Sequence, residues 1–248
     1  MKNNKKHRQK LVFSSSLAGI IIATWCCQLV GKQIFSVVPK VSASMTPIVE
    51  IYKPDHEPVL SFIYDKNLNP KVLNLALKAY YNAKKAGLGT KDILTIVDYS
   101  MPSTTSRMWV IDMSNNKIIY NTYVAHGKGS GDNYANKFSN QHGSLMSSLG
   151  LFLTGSIYSG HYGESLTLHG LEEKFNDNAL SRHIVMHKAS YVDEWVIKKI
   201  GRLGRSFGCL ALNQKVADKI MNTIKNGSLV FCYYPDKTWL SESKMLAT

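Results

Sequence analysis

With 44% hydrophobic and 19% charged residues, this 248-residue chain has apolar material for one moderate globular domain, which excludes a disordered or fibrous polymer. The formal net charge of +13 points toward nucleic acid, but residues 1–43 hold seven Lys/Arg and no acid, leaving 23 basic and 17 acidic residues for the rest. That remainder is mildly basic, has no dense Lys/Arg block and no nucleic-acid motif, and suits an anionic polymer surface, so no nucleic-acid partner is expected.

The charge excess at the start has its own explanation. Lys2, Lys5, Lys6, Arg8 and Lys10 precede an uncharged run from Leu11 to Val30. A basic head followed by such a run is a secretory signal or a membrane anchor with its basic end inside. Val41-Ser42-Ala43 offers small residues at a cleavage distance. Cys26 and Cys27 suggest lipidation, but the bulky Trp25 stands where a small residue is wanted. Residues 1–43 are therefore read as signal peptide or anchor, and 44–58, with Pro47, Pro54 and Pro58, as a linker. The main folded domain is expected over 59–240. It is exported to the periplasm or cell envelope and meets a membrane only through the N-terminal segment.

Asn69-Pro70 opens a helix, with Asn as cap and Pro at the first position. Val72, Leu73, Ala76, Leu77, Tyr80 and Ala83 give it an apolar face, and Gly87 ends it. From Ile93 the pattern turns to strands. Residues 107–113 and 117–124 flank Ser114-Asn115-Asn116 and predict a β-hairpin. Residues 126–150 are rich in Gly, Ser and Asn, and a loop of that length in a compact domain is usually a functional one. Short strands follow at 151–153, 165–169 and 183–187. Asn213 caps a last helix through Lys225, Gly227 ends it, and 228–234 is a closing strand. The sum is mainly β, with one helix early and one late.

Two cysteines lie beyond the targeting segment, and in an oxidising compartment their default is a disulfide. Their settings argue otherwise. Cys232 sits in an apolar strand and reads as a buried thiol. Cys209 sits in the Gly-rich stretch from Gly201 to Leu212, directly after Gly208, where the backbone can approach a substrate closely. The N–H groups around Phe207, Gly208 and Cys209 can converge on an oxyanion. A helix about four residues on, with Arg202 and Arg205, is expected to favour a thiolate, and either arginine can grip a carboxylate. A base is needed, and His187 is the nearest upstream histidine, 22 residues away at a predicted strand end. A crossover after that strand can bring it beside Cys209, although spacing alone does not single it out.

Arg202 to Leu212 resembles the signature of the L,D-transpeptidase catalytic domain, the YkuD-like murein transpeptidase family. His187 matches the histidine of its pattern, and Ser206-Phe207-Gly208-Cys209 matches the Ser/Thr-x-Gly-Cys element. A longer pattern fits Val97-Asp-Tyr-Ser100, Val124-Ala-His-Gly127, Gly129-Ser-Gly131, Phe138-Ser-Asn140, Ser147-Ser-Leu-Gly150, Gly170-Leu-Glu172 and Tyr191-Val192, so the resemblance spans roughly residues 60–235. The chain departs from the pattern at Phe207, where His is commoner, at Lys188, where Gly is common, and at Leu210, where Pro often follows. None of these removes nucleophile or base.

The resemblance implies a β-sandwich-like fold with a few short helices. It implies a murein L,D-transpeptidase acting on peptidoglycan stem peptides through a cysteine acyl-enzyme. Cys209 is then the nucleophile, His187 the base, and Gly208 and Cys209 the oxyanion donors. A backbone carbonyl, with Lys188 as its source, orients the imidazole, and Arg202, Arg205 and Ser206 are candidates for substrate or loop positioning. No metal and no organic cofactor is implied. Water as acceptor would make the same site an L,D-carboxypeptidase.

Two other classes compete. His126, His142, His161, His169, His183 and His187 crowd the central region and suggest a metal hydrolase, with His183, His187 and His169 as ligands, although no H-E-x-x-H motif is present. A non-catalytic peptidoglycan-binding relic is the other, with the three departures read as lost chemistry.

Overall fold

The computed structural model describes residues 65–160 and 163–247. The targeting segment and the linker lie outside the described residues. Helix α1 (Pro70–Lys85) begins as its sequence dictates: Asn69 Oδ1 accepts from the Lys71 N–H at 2.9 Å, and Pro70 occupies the first turn. Gly87, at φ +75°, turns the chain out while the Leu88 N–H closes back onto the Ala83 carbonyl. The predicted apolar face, Val72 to Ala83, is buried.

Strands β1 (Ile93–Asp98), β2 (Met108–Asp112) and β3 (Lys117–Thr122) form an antiparallel meander, with the predicted hairpin turn at Asp112, whose carboxylate accepts from the Ser114 and Asn115 N–H groups. After β4 (Val124–Ala125) the chain runs irregularly to β5 (Gly150–Gly160), which pairs with β6 (Gly163–Gly170). Then come β7 (Val185–Ala189), α2 (Glu194–Ile200), β8 (Leu210–Asn213), α3 (Gln214–Ile224), β9 (Leu229–Tyr233) and α4 (Lys237–Glu242). The fold is mainly β with short helices, as expected.

The nine strands make one hydrogen-bonded series, β3-β2-β1-β9-β5-β6-β7-β8-β4. Its two ends, β3 and β4, are separated in the chain by Tyr123 alone. Two Cα–Cα steps span at most ~7 Å, so the sheet must curl until its edges nearly meet. The main core joins the sheet and α1, with Trp109, Phe152, Phe231, Leu73 and Leu77 fully buried.

Two helices differ from the sequence reading. Asp193 accepts from the Trp195 N–H and Gly201 ends α2 at φ +74°, so both signals were present around a helix too short to show periodicity. Helix α4 lies partly beyond residue 240, and packing continues to Leu246. Its Trp239 is fully buried and donates from Nε1 to Glu172 Oε2 at 3.0 Å, while Glu172 Oε1 accepts from the Leu151 N–H at 2.7 Å. Removing that carboxylate strands two buried donors. Glu172→Ala is therefore expected to lower stability by about 3 kcal/mol, read from the urea unfolding midpoint.

Candidate active site

Strands β7 and β8 are parallel neighbours joined through α2, the crossover anticipated after His187. His187 is the third residue of β7 rather than the end of a strand, and it lies opposite Ala211. Cys209 immediately precedes β8, two positions before Ala211, which places it on the same face as His187. Both line one open pocket of about 300 Å³ with Tyr158, Ser165, His183, Tyr191, Arg205 and Phe207.

The imidazole is buried, and its Nδ1 lies 2.9 Å from the Lys188 carbonyl. A carbonyl only accepts, so Nδ1 carries the proton and Nε2 is the nitrogen able to take one. Burial lowers the pKa of His187, with the Lys188 carbonyl pulling the other way. Lys188 thus contributes its backbone, while its Nζ faces Asp218 at 3.2 Å.

Burial pushes the Cys209 thiol up, opposed by the Val185 N–H, the Arg182 charge and its own N–H. The S–H donates to the His183 carbonyl at 3.4 Å. Both shifts favour a neutral thiol beside a neutral imidazole over the standing thiolate the sequence suggested. Two expected sources of thiolate stabilisation are displaced. Strand β8 intervenes before α3, putting the helix end roughly 13 Å along the chain from Cys209, beyond the reach of a helix dipole. Arg202 and Arg205 both turn to Asp132: Arg205 Nη1 lies 2.8 Å from it and also donates to the Gly131 carbonyl, while Arg202 Nε is 3.8 Å away. Arg202 is not among the pocket-lining residues, and Arg205 lines the pocket with its guanidinium engaged.

Ser206 shapes the loop before β8 from within. Its Oγ donates to the Cys209 carbonyl at 2.7 Å and accepts from the Gly208 N–H at 3.1 Å. The Gly208 N–H, anticipated as an oxyanion donor, is held by that hydroxyl, which leaves Cys209 N–H as the donor beside the sulfur. Gly208 itself has φ +125° and packs so closely that a Cβ would lie 2.8 Å from the Met146 carbonyl oxygen. Phe207 is 58% exposed on the pocket wall, with Lys128 Nζ 4.4 Å from its ring centroid, so it does not pack inward.

The loop from 126 to 149 forms the underside of the site. The Ser206 N–H donates to the His126 carbonyl, and Ser147 Oγ bridges the Gly127 N–H and the Gly208 carbonyl. His126 is fully buried against Arg107, whose Nη2 donates to its Nδ1 at 2.8 Å. Burial first, then repulsion by Arg107 and Arg205, lowers its pKa from 6.5 to about 4, against the Gly131 and Asp132 backbone. The unfolded chain therefore binds the proton more readily than the fold. The resulting contribution is whole above pH 6.5 and is lost as pH falls through about 4. That gap corresponds to about 3 kcal/mol. His126→Gln is expected to lose less stability than wild type between pH 7 and about pH 4, checked by urea midpoints across that window.

Sequence reading gave Arg182 and Arg107 no place at the site and met Ser147 only within the family pattern, because their long-range contacts leave no periodic trace. Cys209 and Cys232 are both free thiols, and burial in β9 pushes Cys232 up to about 12. Among the described residues no three His, Cys, Asp or Glu side chains converge as a metal cage. His142 meets Ser181 and His126 meets Arg107, while His161 lies outside the described residues.

No curated protein matches the sequence. Similar solved structures include an L,D-transpeptidase from Mycobacterium smegmatis, at 11% identity and TM-score 0.36, covering 58% of this chain and 59% of that one. Another is an L,D-transpeptidase from Stackebrandtia nassauensis, at 14% and 0.36, covering 66% and 68%. The helical cell shape determining protein Pgp2 from Campylobacter jejuni matches at 15% and 0.38, covering 64% and 55%. The chain thus spans 59% of the length of the mycobacterial structure. At the level of sequence families, residues 64–233 match the L,D-transpeptidase catalytic domain, and the chain belongs to that family.

Proposed function

We propose that this protein is a cysteine acyltransferase that forms or remodels peptide cross-links in peptidoglycan, exported by its N-terminal segment to the periplasm or cell envelope. The reading is carried by one arrangement: Cys209, immediately before β8, and a buried, Nδ1-protonated His187 on the neighbouring parallel strand β7, opening into one pocket. Family membership supports a peptidoglycan substrate, and the donor in this reading is a tetrapeptide stem.

Cys209 Sγ attacks the carbonyl between meso-diaminopimelate and D-Ala as His187 Nε2 takes the thiol proton. The oxyanion lies against the Cys209 N–H. Collapse breaks the C–N bond, and His187 passes the proton to the D-Ala amine. An amine from a second stem then attacks the thioester, gives its proton to His187, and releases the sulfur, which regains that proton. Because thiol and imidazole both start neutral, proton transfer accompanies attack. Water in place of the amine gives an L,D-carboxypeptidase.

Mass spectrometry of the purified protein with disaccharide-tetrapeptide muropeptides tests this. A cross-linked dimer with mass added to the Cys209 peptide is the expected result, and D-Ala release without dimer selects hydrolysis. Binding to sacculi with no product of either kind, from protein shown to be folded, refutes the catalytic reading and favours a wall-binding module. Activity abolished by a chelator and untouched by thiol alkylation would instead mark a metal hydrolase.

A further inference from the structure

The positive charge that reaches Cys209 comes from a residue the family pattern did not point to. Arg182 precedes His183, whose carbonyl accepts the Cys209 S–H and whose own φ is +55°. The guanidinium is aimed at the long loop. Nη1 donates to the Ser139 carbonyl and Ser148 Oγ, both at 2.6 Å, and Nη2 to Ser144 Oγ at 3.0 Å and the Met146 carbonyl at 2.8 Å. Four donors thus engage four points spread over ten residues, a planar fork that an ammonium cannot reproduce.

That loop is wedged between Arg182 and the nucleophile. The Met146 carbonyl packs on Gly208 so closely that a methyl group there would overlap it, and Ser147 Oγ donates to the Gly208 carbonyl at 3.2 Å. Arg182 makes none of its four bonds to a carboxylate. Its charge is therefore not cancelled by an acid in contact, and it acts on the sulfur, while the thiol in turn acts on Arg182. The other titratable groups on the pocket wall are His183, His187, Tyr158, Tyr191 and Arg205, the last held by Asp132.

We propose that Arg182 is a positioning residue for the cysteine chemistry: its guanidinium pins residues 139–148 against the Gly208–Cys209 backbone, and it carries its positive charge on the residue next to His183, whose carbonyl meets the sulfur. As the proton leaves Cys209, that charge opposes the cost of forming an anion in a buried place. The bonds to the loop fix the peptide from which the Cys209 N–H is presented. The role rests on the acyl-transfer reading for turnover but not for the state of the thiol.

The test compares wild type, Arg182→Gln and Arg182→Lys in full-length protein. Iodoacetamide alkylation of Cys209 is followed against pH, kcat and KM are measured on a tetrapeptide muropeptide, and thermal midpoints are recorded. In Arg182→Gln the alkylation midpoint is expected to move up by about half a pH unit or more. Its kcat is expected to fall about tenfold or more, with KM nearly unchanged. Arg182→Lys keeps the alkylation profile and recovers only part of kcat, because an ammonium has three donors. An unshifted alkylation profile in Arg182→Gln, with kcat lost only as the thermal midpoint drops, reduces Arg182 to a structural residue and overturns the proposal. If Arg182→Gln fails to fold, Arg182→Lys decides: lower kcat at wild-type KM and thermal midpoint supports the role, and wild-type kcat overturns it. Absence of turnover in wild type, with the alkylation shift intact, counts against the stem-peptide reading and still supports the charge.

Discussion

Cys209→Ala is expected to give neither acyl-enzyme nor product from a tetrapeptide stem, and His187→Asn to lower kcat/KM by about 10²–10⁴-fold. Asparagine is the informative replacement at 187. Its amide N–H can still donate to the Lys188 carbonyl, as Nδ1 does now at 2.9 Å, so the buried acceptor stays satisfied while the base is gone. A folded variant with a large rate loss then reports chemistry rather than collapse. The pH profile adds a second check. Activity needs neutral His187, and burial lowers its pKa, so the acid limb of wild-type kcat/KM belongs below 6.5. A limb above 6.5 would contradict a buried neutral base, and wild-type activity in His187→Asn would remove His187 from the mechanism. Both are read from initial rates of D-Ala release or dimer formation.

The second large effect is expected at Gly208. At φ +125° a side chain is strained whatever the space, and here the space is also taken: an added Cβ would meet Ile184 Cδ1 at 2.7 Å and the Met146 oxygen at 2.8 Å. The terminal Cδ1 of Ile184 can shift, but the Met146 carbonyl is backbone tied to Arg182. Strain of about 1–3 kcal/mol adds to overpacking of similar size. Part of it is relieved by moving the residue next in line, which is Cys209. Gly208→Ala is thus expected to lower the thermal midpoint and to cut kcat by about 10²-fold, since small displacements of a nucleophile are costly. Gly201→Ala is the control. Gly201 has φ +74° with nothing within 4 Å of its would-be Cβ, so that variant should lose only about 1 kcal/mol and no activity. Equal kcat loss in both variants would mean that strain alone, not contact with Met146, governs the loop.

What could be read from the chain was whatever repeats along it or announces itself locally. Helix α1 carries a cap, a proline, a periodic face and a terminating glycine, and all four signals agree. Strands β2, β3 and β9 are dense in β-branched and aromatic residues. The hairpin of β5 and β6 runs several residues past its expected ends because Ser156, Ser159 and Gly160 lack apolar alternation, and its length comes from cross-strand bonds. At the site, Cys209, His187 and the Lys188 carbonyl were legible through the family pattern. The electrostatics were not. Arg202 and Arg205 stand close to Cys209 in sequence, yet Asp132, some seventy residues upstream, takes them, and the charge that acts on the thiol is that of Arg182, 27 residues upstream. Proximity in sequence misleads wherever a nearer acid exists in space.

The meeting of the sheet's first and last strands also bears on behaviour at high concentration. An open sheet of nine strands would present two rows of unpaired amides to other molecules, a template for strand-on-strand association. Here one terminal strand, Val124–Ala125, is only two residues long and buried. The other, Lys117–Thr122, carries exposed Lys117 and Asn121 and leads into the first by way of Tyr123. A neighbouring chain therefore finds almost no edge to extend. A sheet whose two ends nearly meet leaves little open edge and so resists aggregation by its topology.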